Sequence, residues 1–365
     1  MNHLIAVAQH FNFNGKILDI SEYGSGIVNE TFLITLDSSP KKFILQRINT
    51  HVFQHPEFIM HNLRIVTNHI LERCRSENTL SNQKWAVPRI VTTKNNEDYF
   101  VDDHGGFWRA ISFINHAQTY DKIEDIPQAY QAGYALGKFH SLICDIDINQ
   151  LHDTLEGFHI TPHYLIQYDE VSQGHLVNKK SASITFCHNF VTERRKLAHV
   201  LENAKKKNDL SLRTIHGDPK ISNILFDEKT GKAISIIDLD TVKPGLVHYD
   251  IGDCLRSCCN PAGESVENLN DVYFDTDLCK AILDGYFSEA KHFLTEHDYD
   301  YIYDAIRLIA FELGLRFFTD YLEGNVYFKV KNKEHNLARA LAQFKLVESI
   351  ELEEQNIRTI LSDLR

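Results

Sequence analysis

The sequence predicts an α+β fold with two lobes, a small β-rich N-terminal lobe over residues 1–114 and a larger, mainly helical C-terminal lobe over residues 115–365. Short apolar runs separated by turn residues occupy the first part of the chain, which is the pattern of strands and hairpins. Helical spacing dominates after Asn115. A chain of 365 residues is also long enough for two domains.

The N-terminal lobe is predicted to be a small sheet that carries one helix. The helix begins at Pro56 and runs to about Arg73, with apolar residues on one face. The predicted strands share apolar runs bounded by turn residues, and they are Ile17–Tyr23, Thr31–Leu36, Phe43–Ile48, Val87–Thr92, Tyr99–Asp102 and Trp108–Ile114.

The C-terminal lobe is predicted to be helical on both sides of a short β segment. Residues 127–143 carry apolar side chains at helical spacing, and Thr192–Lys207 is predicted as a second helix. Residues 213–239 return to short strands, and residues 270–361 are helical again.

Composition excludes several function classes. The net charge of −12 argues against nucleic acid as the main partner, because binding a polyanion needs a basic face. No stretch approaches the ~20 apolar residues of a membrane span, so we expect no membrane partner. The start of the chain lacks the features of a signal peptide, and seven cysteines without zinc-type spacing fit reduced thiols. We therefore expect a cytoplasmic protein, acting as a monomer.

The strongest chemical signal is the segment His-Gly-Asp-Pro-Lys-Ile-Ser-Asn, which ends at Asn223 and contains Asp218. An apolar strand, a glycine-containing turn and a second apolar strand follow, and Asp238 ends the second strand. Such a hairpin brings its outer ends together, so the side chains of Asn223 and Asp238 can converge on one ion. Asp218 lies on the loop that enters the hairpin.

Phosphoryl transfer requires this set of groups. A hard divalent cation takes oxygen ligands and neutralises phosphate charge, and a carboxylate orients the attacking hydroxyl. Protein kinases space a catalytic Asp, an Asn and a metal-binding Asp in the same way. The alternative is that these residues only cap turns, as Asp and Asn often do. The joint pattern favours catalysis over turn capping.

These motifs, with His-Tyr-Asp-Ile-Gly-Asp253 downstream, resemble the aminoglycoside phosphotransferase and choline kinase superfamily. The resemblance implies a protein-kinase-like fold that uses ATP and Mg²⁺. It makes Asp218 the catalytic base and places Asn223 and Asp238 on the metal.

The same resemblance assigns supporting roles nearby. Asp250 matches a residue that supports the catalytic loop, and His216 is expected to be mainly structural. Asp240 is either a second metal ligand or a support group. Lys220 either reaches the transferred phosphate or is solvated.

The nucleotide is expected to bind the N-terminal lobe. Gly24, Ser25 and Gly26 lie between two predicted strands, where a glycine-rich loop would let backbone amides approach phosphates. A plain hairpin turn explains these three residues equally well. No G-x4-G-K-[ST] motif occurs, which disfavours P-loop kinases.

The third strand lacks the usual phosphate-contacting Lys. Gln46 or Arg47 occupies its expected position, and Arg47 either contacts the nucleotide or is a solvated strand charge. The resemblance places the adenine-binding hinge at residues 112–114, where Ser112 and Ile114 would offer backbone groups.

The acceptor is expected to bind the C-terminal lobe near Arg316. This Arg continues an apolar helical stripe formed by Ile302, Ile306, Ile309 and Leu313. It either pairs with Asp320 on the next turn or donates to substrate oxygens, for which a guanidinium is well suited.

Four segments resemble the N-acetylhexosamine 1-kinase branch more specifically, and the similarity extends over most of the chain. They are Tyr23–Thr31, Ile44–Asn49 with Val52-Phe53, Ile237–Gly245 and Leu315–Tyr327. The branch implies phosphorylation of the anomeric hydroxyl of N-acetylglucosamine or N-acetylgalactosamine, with Arg316, Tyr327 and Asp218 binding the sugar. Without the resemblance, Tyr327 could merely pack against the helix end.

Two other functions remain open. One is a kinase of the same fold for another small alcohol, such as another sugar, homoserine, a choline-like compound or an aminoglycoside. Arg316 disfavours a cationic acceptor, because like charges repel. The other is an inactive nucleotide-binding regulatory protein, although Asp218, Asn223 and Asp238 are all present.

Overall fold

The computed structural model describes residues 2–24, 28–77, 85–175, 181–263, 266 and 268–365. The strands of this part of the chain are β1 (Ile17–Glu22), β2 (Glu30–Leu36), β3 (Lys42–Ile48), β4 (Ile90–Val91), β5 (Phe100–Val101), β6 (Phe107–Ser112), β7 (Ala117–Gln118), β8 (Arg213–Ile215), β9 (Ile224–Asp227), β10 (Ala233–Ile236) and β11 (Lys243–Gly245). Its α-helices are α1 (Asn2–Ala8), α2 (Pro56–Glu77), α3 (Ile126–Ile143), α4 (Thr161–His175), α5 (Ala182–Arg194), α6 (Val200–Lys206), α7 (Val247–Cys258), α8 (Thr276–Ala290), α9 (Glu296–Asp300), α10 (Ile302–Glu323), α11 (His335–Leu352) and α12 (Glu354–Leu364).

The chain divides into two compact units. The first unit comprises Met1–Ala117, Ile146–Glu156 and Ile237–Lys243. The second comprises Gln118–Asp145, Gly157–Ile236 and Pro244–Arg365. The first is rich in strands and the second is mainly helical, which confirms the predicted α+β class.

An antiparallel sheet forms the centre of the first unit. Among the described residues, its strand order is β1-β2-β3-β6-β4, and β5 also pairs with β6. Phe43 and Leu45 of β3 point into a buried cluster that includes Trp108 and Ala110 of β6. The alternation of buried and partly exposed residues along β3 follows from the period of two that a strand imposes.

The second unit is built on tightly packed helices. Helix α3 begins at the N-cap Asp125, whose side chain accepts the backbone N–H of Gln128, and it packs against α8. A Cβ atom at Gly133 would collide with the Ile282 carbonyl group, so glycine is required for this close approach. Helix α10 packs against α7 and α11.

A short hairpin, β9–β10, belongs to the same unit. Ile224 pairs with Ile236, and Leu225 pairs with Ser235. The turn between the strands is held by Asp227, whose carboxylate accepts the N–H of Thr230 at 2.8 Å. This is the hairpin that the sequence predicts.

The predicted helix at Thr192–Lys207 is not continuous. A 3₁₀ segment, Arg195–His199, separates α5 from α6. The Arg195 guanidinium donates to the Asp169 carboxylate of α4 at 2.8 Å, and Leu197 is buried. These tertiary contacts favour a change of direction that local helical spacing does not reveal. None of the described helices combines the length and hydropathy needed to cross a membrane.

Candidate active site

The loop after β8 carries Asp218, whose carboxylate is partly exposed. Lys220 Nζ donates to Asp218 Oδ2 at 2.6 Å. The side-chain amide of Asn223 donates to the backbone carbonyl of Asp218 at 2.8 Å and to Oδ2 at 3.2 Å. The structure therefore brings Asp218 and Asn223 together, with a lysine as the immediate counter-charge.

The buried carboxylate of Asp250 accepts hydrogen bonds from the backbone of this loop. Its oxygens accept the backbone N–H groups of His216 at 2.6 Å and Gly217 at 2.8 Å, and His140 Nε2 lies 2.8 Å from Oδ2. Burial would raise the pKa of Asp250, but the hydrogen bond and charge of His140 lower it overall. Asp250 supports the loop, as the sequence predicts. His216 is structural, since its Nδ1 accepts the N–H of Asp218 at 3.2 Å.

The two residues predicted to bind metal flank the β9–β10 hairpin along the chain. Asn223 ends a 3₁₀ turn directly before β9, as expected. Asp238 does not end the second strand, because β10 stops at Ile236. Instead, Asp238 is exposed and adopts a left-handed backbone with φ of 65° and ψ of 56°. Such a conformation is uncommon for a residue other than glycine, and it is frequent at functional sites.

The donor atoms of these two residues suit a hard cation. The amide nitrogen of Asn223 faces Asp218, which leaves its amide oxygen for another partner. An amide oxygen and a carboxylate are ligands that Mg²⁺ accepts. No group of three or more His, Cys, Asp or Glu side chains in the described part of the chain could hold a metal.

A buried ion pair of the first unit involves Asp240, two residues after the predicted metal ligand Asp238. Arg109 Nη2 of β6 lies 2.5 Å from Asp240 Oδ1, and each side chain is 3% exposed. Asn29 donates to Asp240 Oδ2 at 2.7 Å. Among the two roles considered for Asp240, these contacts favour support, because they fix the segment two residues after Asp238.

The two candidate residues of the third strand, Arg47 and Gln46, both have partners within the first unit. Arg47 is 42% exposed, covers the Trp108 ring and lies 3.7 Å from Glu30. Gln46 Oε1 accepts from Nε of Arg109 at 3.0 Å and from Nη2 at 2.8 Å. Arg47 therefore lies on the core face of β3 with its tip in solvent, and contact with the nucleotide stays a prediction.

Of the other predicted nucleotide residues, Gly24 follows β1, and Ser112 and Ile114 lie at and beyond the end of β6. Gly24 has a φ of 78°, and a Cβ there would meet open space. Ser25 and Gly26 lie outside the described residues. Ser112 ends β6, and its hydroxyl accepts the N–H of Arg89 at 2.9 Å. Ile114 follows in irregular backbone and is partly exposed.

The Arg316 guanidinium lies among four aromatic rings of the second unit. Its central carbon is between 5.0 and 6.0 Å from the ring centroids of Phe158, Tyr164, Tyr327 and Phe328. Among the described residues, no hydrogen bond or ion pair of this guanidinium is found. Burial would lower the pKa of Arg316, but Tyr164, Glu312 and Asp218 raise it overall. Arg316 therefore stays charged and keeps its N–H donors for a ligand.

The alternative pairing of Arg316 with Asp320 is wrong, because the Asp320 carboxylate has other partners. It accepts the backbone N–H groups of Val326, Tyr327 and Phe328 at 2.8, 2.7 and 3.1 Å. Asp320 thus shapes the turn that presents Tyr327. The Tyr327 side chain is 54% exposed and contacts the Phe328 ring edge-on.

Comparison with known proteins identifies the family of this chain. The sequence model of the APH phosphotransferase enzyme family matches residues 19–282. The chain belongs to this family of phosphotransferases.

Solved structures with the same fold include an aminoglycoside phosphotransferase from Alicyclobacillus acidocaldarius, at 16% identity and a TM-score of 0.64 over 98% of this chain and 96% of that one. Choline kinase from Cryptosporidium parvum matches at 15% identity and a TM-score of 0.59, covering 100% and 99% of the two chains. Spectinomycin phosphotransferase, solved with ADP and spectinomycin, matches at 14% identity and 0.52, covering 97% and 98%. The phosphotransferase therefore has the predicted kinase-like fold, with an antiparallel sheet in its N-lobe and a helical C-lobe.

Sequence reasoning missed Arg109 in this phosphotransferase. Arg109 is buried in β6, directly opposite Gln46 of β3, and its Nη1 has no hydrogen-bond partner among the described residues. A lone Arg within the apolar strand Phe107–Ser112 was an available signal. Its partner Asp240 is 131 residues away along the chain, so no local pattern could identify the pair.

Proposed function

We propose that this phosphotransferase is a small-molecule kinase that transfers the γ-phosphate of ATP to the anomeric hydroxyl of an N-acetylhexosamine, giving the sugar 1-phosphate. The observation that carries the acceptor assignment is the charged Arg316, which is surrounded by aromatic rings and has no carboxylate within hydrogen-bond distance among the described residues. Proteins bind sugars with groups that donate hydrogen bonds to the sugar oxygens and with aromatic rings that pack against the sugar C–H faces. The Arg316 guanidinium would supply the donors, and the Tyr327 ring would supply the aromatic surface.

Asp218 orients the acceptor hydroxyl and takes its proton. The acceptor oxygen then forms a bond to the γ-phosphorus, the bond between that phosphorus and the β–γ bridging oxygen breaks, and ADP leaves. Asn223 and Asp238 would hold Mg²⁺, since a side-chain amide oxygen and a carboxylate are ligands that this cation accepts. When bound, the cation neutralises phosphate charge.

The nucleotide is proposed to bind along the sheet of the first unit. Gly24, Ser25 and Gly26 would approach the phosphates, Arg47 would supply positive charge, and the backbone of Ser112 and Ile114 would receive adenine. The ADP found with spectinomycin phosphotransferase, which shares the fold, supports ATP as the donor.

The positive charge of Arg316 argues against the competing acceptors that are cations. A cationic acceptor such as choline, ethanolamine or an aminoglycoside would enter a pocket whose aromatic rings already surround a guanidinium. Two cations at this range repel each other, and the repulsion grows as water is excluded. The same charge suits the hydroxyl and acetamide oxygens of a neutral sugar, to which it can donate.

The state of the buried cysteines bears on the cellular context. Among the described residues, Cys187, Cys254, Cys258, Cys259 and Cys279 are buried and form no disulfide, which suits a reducing compartment. We therefore propose that the enzyme acts in the cytoplasm. We propose a monomer, with residues 1–114 as the nucleotide-binding lobe and residues 115–365 as the catalytic and acceptor-binding lobe.

A panel of acceptors tests the assignment. Purified protein is incubated with ATP, Mg²⁺ and one of N-acetylglucosamine, N-acetylgalactosamine, glucose, homoserine, choline or kanamycin, and ADP release is measured. We expect an N-acetylhexosamine to give the highest kcat/KM. Preferred turnover of choline or kanamycin would refute the sugar assignment while leaving the kinase intact, and no turnover with any acceptor would favour the regulatory alternative.

A further inference from the structure

A buried histidine joins the catalytic loop to the helix that carries Arg316. His159 Nδ1 lies 3.0 Å from Glu312 Oε1 of α10, and its Nε2 lies 2.8 Å from the carbonyl oxygen of Gly217. Gly217 directly precedes Asp218, and Glu312 lies one helical turn before Arg316. All of these residues belong to the second unit.

The hydrogen bonds define the protonation state of the ring. A carbonyl oxygen only accepts, and an ionised carboxylate only accepts, so both ring nitrogens of His159 have to donate. The other oxygen of Glu312 accepts from the Thr161 hydroxyl at 2.6 Å. A neutral imidazole has only one N–H and would leave one of its two contacts without a proton.

The charges around the ring favour this state. Burial would lower the pKa of His159, but the Glu312 carboxylate raises it overall, with a further contribution from Asp253 of α7. Burial would raise the pKa of Glu312, but His159 and Arg316 lower it overall. The proton therefore lies on the histidine. On the α7 side, the Tyr249 ring stacks on His159 at 5.4 Å.

The backbone of His159 is also unusual. Its φ is 65°, in the left-handed region that side chains with a Cβ rarely adopt. Such a conformation is strained and persists where surrounding contacts enforce it. Here the strained position lets one ring reach both the loop before Asp218 and the middle of α10.

We propose that His159 is a positioning residue, whose doubly protonated ring ties the Gly217 carbonyl to Glu312 and so fixes Asp218 relative to Arg316. The roles of Asp218 and Arg316 in this statement depend on the proposed function. The charge state of the ring does not.

The contacts of His159 with Gly217 and Glu312 are expected to weaken as the pH rises. Both ring nitrogens of His159 face acceptors and its pKa is raised in the folded protein, so the ring loses its proton only as the pH rises through that raised value. Either the Gly217 carbonyl or the Glu312 carboxylate then faces a ring nitrogen without a proton. Because that hydrogen bond is lost, the loop at Gly217 is no longer tied to Glu312. We expect kcat to fall on the alkaline side.

The charge state is measured directly by ¹H–¹⁵N NMR of the histidine rings in the full-length, ¹⁵N-labelled protein, with His159 assigned by its loss in His159→Gln. We expect both ring nitrogens to be protonated at pH 7, and the ring to titrate above 6.5. An unprotonated Nδ1 or Nε2 at pH 7 would overturn the proposal. This experiment needs no substrate, so its failure is separate from failure of the proposed function.

The positioning role is measured by the pH profile of kcat with the preferred acceptor. His159→Gln is expected to lower kcat by about 10–100-fold while changing the ATP KM less than about twofold, because small misplacements of reacting groups have effects of this size. Glu312→Gln is expected to move the alkaline limb to lower pH, since the ring loses its counter-charge.

The matched control is His188→Gln. His188 is also a histidine of the second unit, but burial lowers its pKa and its Nδ1 lies 2.6 Å from the Tyr168 hydroxyl. We expect this variant to keep the wild-type alkaline limb. An alkaline limb that is the same in wild type, His159→Gln and Glu312→Gln would refute the positioning role.

Discussion

Arg109 and Asp240 form an ion pair inside the first unit, with 2.5 Å between Nη2 and Oδ1 and with each side chain 3% exposed. The pair connects the middle of β6 to the segment that follows the proposed metal ligand Asp238. Gln46 and Asn29 add hydrogen bonds to the Arg and the Asp respectively. The left-handed Asp238 is thus followed, two residues later, by an anchored side chain.

Removing one partner of this pair is expected to be costly. Arg109→Met leaves the Asp240 carboxylate buried without its cation, and a broken buried pair typically costs about 3–5 kcal/mol. Urea denaturation should show this loss in the free energy of unfolding.

The control is the double variant Arg109→Met with Asp240→Leu, which removes both charges. It should be more stable than Arg109→Met, because no isolated charge stays buried. Equal stability of the single variant and wild type would show that the pair does not hold the segment.

Arg316→Ala should weaken acceptor binding selectively. Hydrogen bonds from a charged donor are worth about 1.5–3 kcal/mol, so the acceptor KM should rise roughly 10–100-fold. The ATP KM should change little, and initial-rate kinetics with each substrate varied in turn would separate the two constants. Arg339→Ala, which removes an Arg stacked on Phe317, serves as the control. Equal increases in both KM values would assign Arg316 a structural role.

Asp320→Asn should loosen the turn that carries Tyr327. The carboxylate accepts backbone N–H groups of residues 326–328, and an amide has only one oxygen to replace two. Hydrogen exchange should become faster in this turn, while the exchange of β9 stays unchanged. Unchanged exchange at residues 326–328 would mean that the turn is held by other contacts.

Removal of the cation should stop turnover. Excess EDTA is expected to abolish activity, and added Mg²⁺ should restore it, because Asn223 and Asp238 supply oxygen ligands and no positive charge. The affinity for Mg²⁺ should fall in Asp238→Asn. Full activity in excess EDTA would contradict the metal assignment.

The sequence was sufficient to predict the sheet, the β9–β10 hairpin and the loop of Asp218. Each of them depends on the local spacing of apolar residues and on turn residues. It did not predict where β10 ends, since the left-handed conformation of Asp238 is imposed by surrounding structure. The 3₁₀ break at Arg195–His199 depends on distant partners in the same way.

The ion pairs of Arg109 with Asp240 and of His159 with Glu312 were also invisible in the sequence. Their members are separated by 131 and 153 residues along the chain. A charged residue within an apolar run of the sequence suggests that the folded protein pairs it with another group, but the identity of that partner depends on the fold.

The most direct measurement of the central claim is ³¹P NMR of the reaction of ATP, Mg²⁺ and an N-acetylhexosamine. Wild-type protein and Asp218→Asn are compared at equal protein concentration, and ATP binding to each protein is measured separately to confirm that the variant still binds the nucleotide. Wild type should produce a sugar phosphate signal coupled to the anomeric proton. The variant should lose turnover by about 10²–10⁴-fold, since the hydroxyl loses its proton acceptor. A product phosphorylated away from the anomeric carbon, or full turnover by Asp218→Asn, would contradict the account.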